Sequence, residues 1–205
     1  MPNAVWNSTD MWTDLELSNE NATVRKTSTS SYHGIRGLVG YTTGLRYFEG
    51  FVPARGEGSF GVASAAADLN APLGYGSDLG LGLYNDGTLY AGGTGYGSPG
   101  GLDEQRVGFL VNAATRRLWI RTSATVWSHG GDPAAGGAGI DFSHISGAIF
   151  PMFTGFYTDD TTTLFSNAET IAFGLPSGAS FWGDTGGGTG TPTPTRKPLR
   201  SVRWF

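Results

Sequence analysis

The chain has no cysteine. No disulfide can staple it, so its stability must come from a buried core, and the absence fits synthesis inside a cell. Charge is scarce: Asp, Glu, Lys and Arg make up 15% of 205 residues, low for a protein surface. No stretch approaches ~18 consecutive apolar residues, so no helical membrane span is expected. The opening Met1-Pro2-Asn3-Ala4-Val5-Trp6 lacks a basic start and an apolar run, so no signal peptide is expected either. The motifs of serine hydrolases, phosphate-binding loops and zinc proteases are missing. The three histidines, His33, His129 and His144, stand far apart. Gly56-Glu57-Gly58-Ser59-Phe60-Gly61 has dinucleotide-site spacing, but Pro53 precedes it and a strand pattern follows, so a turn is expected. Asp14 and Glu16 have the i, i+2 spacing of a paired-carboxylate site, but nothing around them resembles a glucanase motif. No catalytic residue, cofactor or metal ligand is assigned.

Glycine is abundant, with 34 residues and no collagen-like period, and aromatics reach 13%. Many tight turns between short strands would use such glycines. The central segment Arg106–Trp127 carries the clearest pattern. Val107, Phe109 and Val111 alternate with Gly108 and Leu110; a polar turn follows at Asn112-Ala113-Ala114-Thr115; Arg117-Leu118-Trp119-Ile120-Arg121 returns. This reads as an antiparallel hairpin with Leu118 and Ile120 on the core face beside Phe109. Further strands are expected at 14–17, 23–27, 35–40, 45–52, 60–65, 79–84, 88–90, 149–157, 163–165 and 171–173. Asn85-Asp86-Gly87 is a hairpin turn signal. Ala65-Ala66-Ala67 is expected to form a single turn, because Pro72 ends the run. Residues 91–101 and 128–140 are expected as glycine loops. The fold class is therefore all-β, with two antiparallel sheets packed as a sandwich.

Several of these pieces, in order, resemble SPRY (B30.2) domains. They are Gly44-Leu45-Arg46-Tyr47-Phe48-Glu49, Gly61-Val62-Ala63, Tyr84-Asn85-Asp86-Gly87, the central hairpin, Phe150-Pro151-Met152, and Thr170-Ile171-Ala172-Phe173-Gly174 with Phe181. The resemblance covers residues 30–182. Asn112 stands where Asp is usual, Ala172 where Asn is usual, and Thr122-Ser123 replaces Asn-Gly. Such glycine-rich versions look like those of bacteriophage structural proteins. The resemblance implies a SPRY/concanavalin-like jelly roll and a non-enzymatic binding or structural module. Its place would be a virion, as tail, fibre or capsid decoration, with other virion proteins, copies of itself, or a host glycan or surface protein as partner. A soluble lectin-like domain and an intracellular peptide-binding adaptor are the alternative readings. Recognition in this family uses loops at one end of the sandwich. Tyr75, Tyr84, Tyr96, Trp127, His129 and Asp132 are the candidate ligand-binding residues; the rival reading packs each ring under its own loop.

Three segments are expected: a sandwich over 1–183, a Gly/Thr/Pro linker over 184–195, and a basic-aromatic tail over 196–205. Arg196, Lys197, Arg200 and Arg203 give the tail +4 with no acid. Thirteen basic residues less these four leave nine against 17 acids, so the body carries −8. An acidic body disfavours nucleic-acid binding. Leu199, Val202, Trp204 and Phe205 stand beside the tail's charges, which suggests a docking peptide for a partner with an apolar groove and an acidic rim. A disordered end and a strand folded back on the domain are the rival readings.

Overall fold

The computed structural model describes residues 4–28, 31–54, 57–75, 79–98 and 100–184. The linker beyond Asp184 and the whole 196–205 tail lie outside the described residues.

Among the described residues sixteen strands follow in order. They are β1 (Trp6–Met11), β2 (Leu15–Ser18), β3 (Thr23–Lys26), β4 (His33–Gly37), β5 (Leu45–Phe51), β6 (Ser59–Ser64), β7 (Gly80–Tyr84) and β8 (Leu89–Ala91), then β9 (Thr94–Tyr96), β10 (Arg106–Asn112), β11 (Arg117–Arg121), β12 (Trp127–His129), β13 (Ile140–Asp141), β14 (Ile149–Gly155), β15 (Thr161–Thr163) and β16 (Ser180–Phe181). Helix among the described residues is limited to a 3-10 turn at Pro133–Ala135. One sheet runs β1-β4-β14-β6-β7-β8-β9, and the second runs β12-β11-β10-β5-β16 with β13 beside β11. A small third sheet, β15-β3-β2, joins the amino-terminal hairpin to the body.

The core lies between the two large sheets and follows from period-two alternation. The central hairpin pairs Phe109 with Ile120 and Val111 with Leu118. These four side chains face inward and are fully buried. From the opposite sheet come Phe60, Leu81, Leu83 and Phe153. Phe109 stacks on Phe48 at 5.1 Å and meets Phe60 edge-on at 5.1 Å. Trp6, Leu15 and Val24 join the same cluster, so the amino-terminal strands are part of this body.

The turn after β10 explains one departure from the family pattern. Asn112 Oδ1 accepts the backbone N–H groups of Ala114 and Thr115 at 3.2 and 3.0 Å. An Asp would offer the same oxygen, so the amide suffices. At the β7–β8 turn Asp86 accepts from the Thr88 N–H and hydroxyl, and Gly87 takes φ +84°. Residues 65–67 form a turn, as expected.

Three expectations are corrected. Residues 94–96 and 127–129 form short edge strands rather than loops, because each finds a hydrogen-bonding neighbour that no local signal announces. Residues 171–173 form no strand: that segment is held by side chains, as described below. Strand β15 falls at 161–163, and Phe165 makes only an isolated bridge to Glu49.

Candidate functional site

Both sheets also carry cover on their outer faces, and these covers position the candidate site. On β7, Leu81 and Leu83 point into the core while Gly80, Gly82 and Tyr84 face outward. Leu73 lies directly over that glycine face. A Cβ added to Gly82 would sit 2.2 Å from the Leu73 carbonyl oxygen. Leu73, Ala67, Ala63 and Met152 make a second apolar cluster there. Arg36 fixes the start of this covering segment. Its guanidinium grips the Asp10 carboxylate with two bonds of 2.7 and 2.9 Å, and donates to the Ala67 carbonyl at 2.6 Å.

Where the covering segment ends, a cleft of about 430 Å³ opens. Tyr84 forms its floor: the ring is 7% exposed and its hydroxyl donates to the Leu73 carbonyl at 3.1 Å. Tyr90 meets Tyr84 edge-on at 5.2 Å, and Tyr75 meets Tyr90 edge-on at 5.2 Å. Tyr75 stands at the mouth, 57% exposed. Tyr32 closes the far side; its hydroxyl donates to Glu57, and its ring packs on Phe156 at 4.8 Å. Pro72, Asn85 and Asp86 complete the wall. No Lys, Arg or His lines this cleft among the described residues. Burial, and then the neighbouring Glu57 carboxylate, raises the Tyr32 phenol above its ordinary value. Burial does the same for Tyr84. Both rings are therefore neutral donors at physiological pH, beside carboxylates.

The six residues singled out from sequence fall in four places. Tyr75 and Tyr84 share the cleft. Tyr96 and His129 meet elsewhere, where β9 and β12 approach: a Cβ on Gly97 would lie 3.8 Å from His129 Nε2. His129 is 4% exposed, and burial lowers its imidazole pKa against the opposing pull of backbone groups at Gly97, Tyr96 and Gly87. Trp127 is half-buried on the outer face of the second sheet, with Arg121 5.3 Å from its ring centre. Asp132 is exposed and caps the 3-10 turn, accepting from Ala134 N–H at 2.8 Å. Sequence reading missed Tyr32, Tyr90 and Glu57. Tyr32 and Glu57 sit 25 residues apart in sequence, and only the parallel starts of β4 and β6 bring them together. Tyr90 was legible: it follows the Asn85-Asp86-Gly87 turn on the strand that must pair with β7.

The second outer face is covered differently. Glu49 has no exposure to solvent, yet its carboxylate accepts four hydrogen bonds. They come from the Tyr47 hydroxyl at 2.7 Å, Arg106 Nε at 2.6 Å, and the backbone N–H groups of Ala172 and Phe173 at 2.7 and 3.0 Å. Arg121 donates to the Tyr47 hydroxyl at 2.9 Å and to the Gly174 carbonyl. A buried carboxylate thus straps residues 170–174 across the sheet.

No family model matches the chain, and no curated protein matches it. Solved structures do. The PSpry domain of TRIM65 aligns with a TM-score of 0.61 at 13% identity, covering 81% of this chain and 90% of that one. The SPRY domain of human HERC1 aligns with a TM-score of 0.59 at 10% identity, covering 78% and 96%. Stonustoxin aligns with a TM-score of 0.60 at 14% identity; 80% of this chain is covered but only 28% of the toxin chain. Together with the two mainly antiparallel sheets and their shared core, these alignments establish that this chain has the fold of a SPRY domain.

Proposed function

We propose that this chain is a non-enzymatic binding module and that the tyrosine cleft between Tyr32, Tyr75, Tyr84 and Tyr90 is its recognition site. The observation that carries the reading is the cleft itself, with edge-to-face rings, acidic neighbours and no Lys, Arg or His among the described lining residues, at the strand ends of a SPRY fold. Its volume lies within the ~300–1,000 Å³ of ordinary ligand sites. Tyrosine gives contact area at low cost in conformational entropy and offers both a flat face and a hydroxyl. The ligand class is a peptide segment of a protein partner. The setting is a phage or phage-like particle, as tail, fibre or capsid decoration; the support is the glycine-rich style of the SPRY motifs and the sparse surface charge.

The test runs a random peptide library and a glycan array in parallel on the purified chain, with Tyr75→Ala/Tyr90→Ala as the matched control. A peptide signal lost in the double variant, with an unchanged melting temperature, is the expected result. A glycan signal alone would replace the peptide reading with the lectin one. A peptide signal untouched by the double variant would move the site elsewhere. Mass spectrometry of purified particles tests the setting separately.

A further inference from the structure

The cleft and the far end of the sequence have opposite characters. The cleft presents Glu57 and Asp86 beside tyrosine rings, with no cation among the described residues that line it. Asn85, on the same wall, donates to Asp103 at 2.7 Å and brings a third carboxylate close. The body around it carries the −8 charge. Residues 196–205 carry Arg196, Lys197, Arg200 and Arg203, no acid, and Leu199, Val202, Trp204 and Phe205. A guanidinium stacks on tyrosine faces and pairs with carboxylates at the same time. Trp204 and Phe205 would add apolar area to a wall of rings.

The geometry of exit selects the donor of this segment. Strands β4 and β6 begin at the cleft, near His33 and Ser59. The chain leaves the described body at the other end of that sheet. There Trp182 Nε1 donates to the Val39 carbonyl at 2.8 Å, and the Tyr41 hydroxyl donates to the Asp184 carbonyl at 2.7 Å. Between Asp184 and Arg196 stand Thr185-Gly186-Gly187-Gly188-Thr189-Gly190, a composition free to turn, and then Thr191-Pro192-Thr193-Pro194-Thr195, a composition that favours extension and separates the basic segment from the body. A segment that starts at one end and extends away meets the opposite end of a neighbour more readily than its own.

We infer that the tyrosine cleft of one copy binds the Arg196–Phe205 segment of a second copy, head to tail. This rests on the cleft being a peptide site, the reading proposed above. The contact is heterologous, so it closes into a ring or continues as a filament. It is part ionic, so salt weakens it.

The test uses the full chain and a labelled synthetic peptide of residues 195–205. Fluorescence polarisation should show saturable binding that weakens as salt rises. Tyr75→Ala and Glu57→Lys should each weaken it by about tenfold, as for a central contact in a small site. Glu57→Lys should regain binding to a peptide carrying Arg200→Glu and Arg203→Glu, a rescue that general misfolding does not produce. Sedimentation of the native chain should show association that grows with concentration, and the Arg200→Glu/Arg203→Glu chain should stay monomeric. A peptide that binds no better than a scrambled one of the same composition overturns the inference. It leaves the peptide-site reading intact if library peptides still bind the cleft. A native chain that stays monomeric, and binds free peptide more weakly than the Arg200→Glu/Arg203→Glu chain does, would place the segment in its own cleft and overturn the assignment to a second copy.

Discussion

The two outer faces of this sandwich meet the same need in opposite ways. Each sheet carries an irregular segment on its solvent side, and each must hold that segment without a hydrogen-bonded ladder. On the β6–β7 side the sheet gives up side chains: Gly80 and Gly82 of β7 leave room for Leu73, which fills the space. On the β5–β10 side the sheet keeps large polar side chains, and Glu49 collects four donors from strand and cover together. The first solution relies on shape, with one charged clasp at Arg36 and Asp10. The second relies on a buried charge that is tolerable only because every lone pair is used. Shape leaves open space where the cover ends, and the tyrosine cleft lies there. The charged side closes over Glu49, which has no exposure to solvent.

Substitutions can break this comparison at several levels. Phe109→Ala removes a ring from the core shared by both faces and should cost about 3–5 kcal/mol in urea unfolding; a loss under ~1 kcal/mol would place Phe109 outside the packed interior. Glu49→Ala should cost about as much, ~3–5 kcal/mol, because Arg106 and two backbone N–H groups lose their acceptor in a buried place. Hydrogen exchange at Ala172 and Phe173 should rise in that variant. Unchanged protection there would mean that the cover is held by packing instead.

Gly82→Ala tests the shape side. Its methyl group would strike the Leu73 carbonyl, with an expected loss of about 1–3 kcal/mol and opening of the 65–75 segment. A neutral result would mean that the cover sits farther from the sheet. A smaller effect concerns acid. Burial works to raise the Asp14 pKa, but bonds from Lys26, Ser28 and His33 outweigh it and hold the carboxylate at about 2, below its ordinary 3.8. A depressed folded-state pKa contributes stability above the unfolded value, lost as pH falls through the folded one. The native chain should therefore outlast Asp14→Asn at pH 6, and the difference should shrink between about pH 4 and pH 2. A constant gap would remove Asp14 from the titration. The least effect on stability belongs to Tyr75→Ala, which should stay within ±0.5 kcal/mol because the ring is mostly exposed, while peptide binding falls.

Much of the inner layer was legible. The alternation at 107–111 and 117–121 named the core faces because a strand's side chains must alternate, whatever it pairs with. The Asn85-Asp86-Gly87 turn was legible because its φ > 0 position accepts glycine. The cleft was half legible: Tyr75 and Tyr84 stood out as loop aromatics, but Tyr32 and Glu57 carry no local mark. Tyr96 and His129 looked alike to Tyr75 from the sequence, yet the approach of β9 to β12 buries His129.

By itself, then, the chain determined its main strands, its hairpin turns, the near-absence of helix among the described residues and the sign of its two charged regions, since each depends on residues a few positions apart. Only tertiary structure decided that Glu49 would be a buried anchor rather than a surface acid, and that the glycines of β7 would admit a covering segment rather than weaken the strand. It also decided that four tyrosines from three parts of the chain would share one cleft. These outcomes depend on which strand ends lie side by side, and that is set by the packing of the whole sandwich, not by any local pattern.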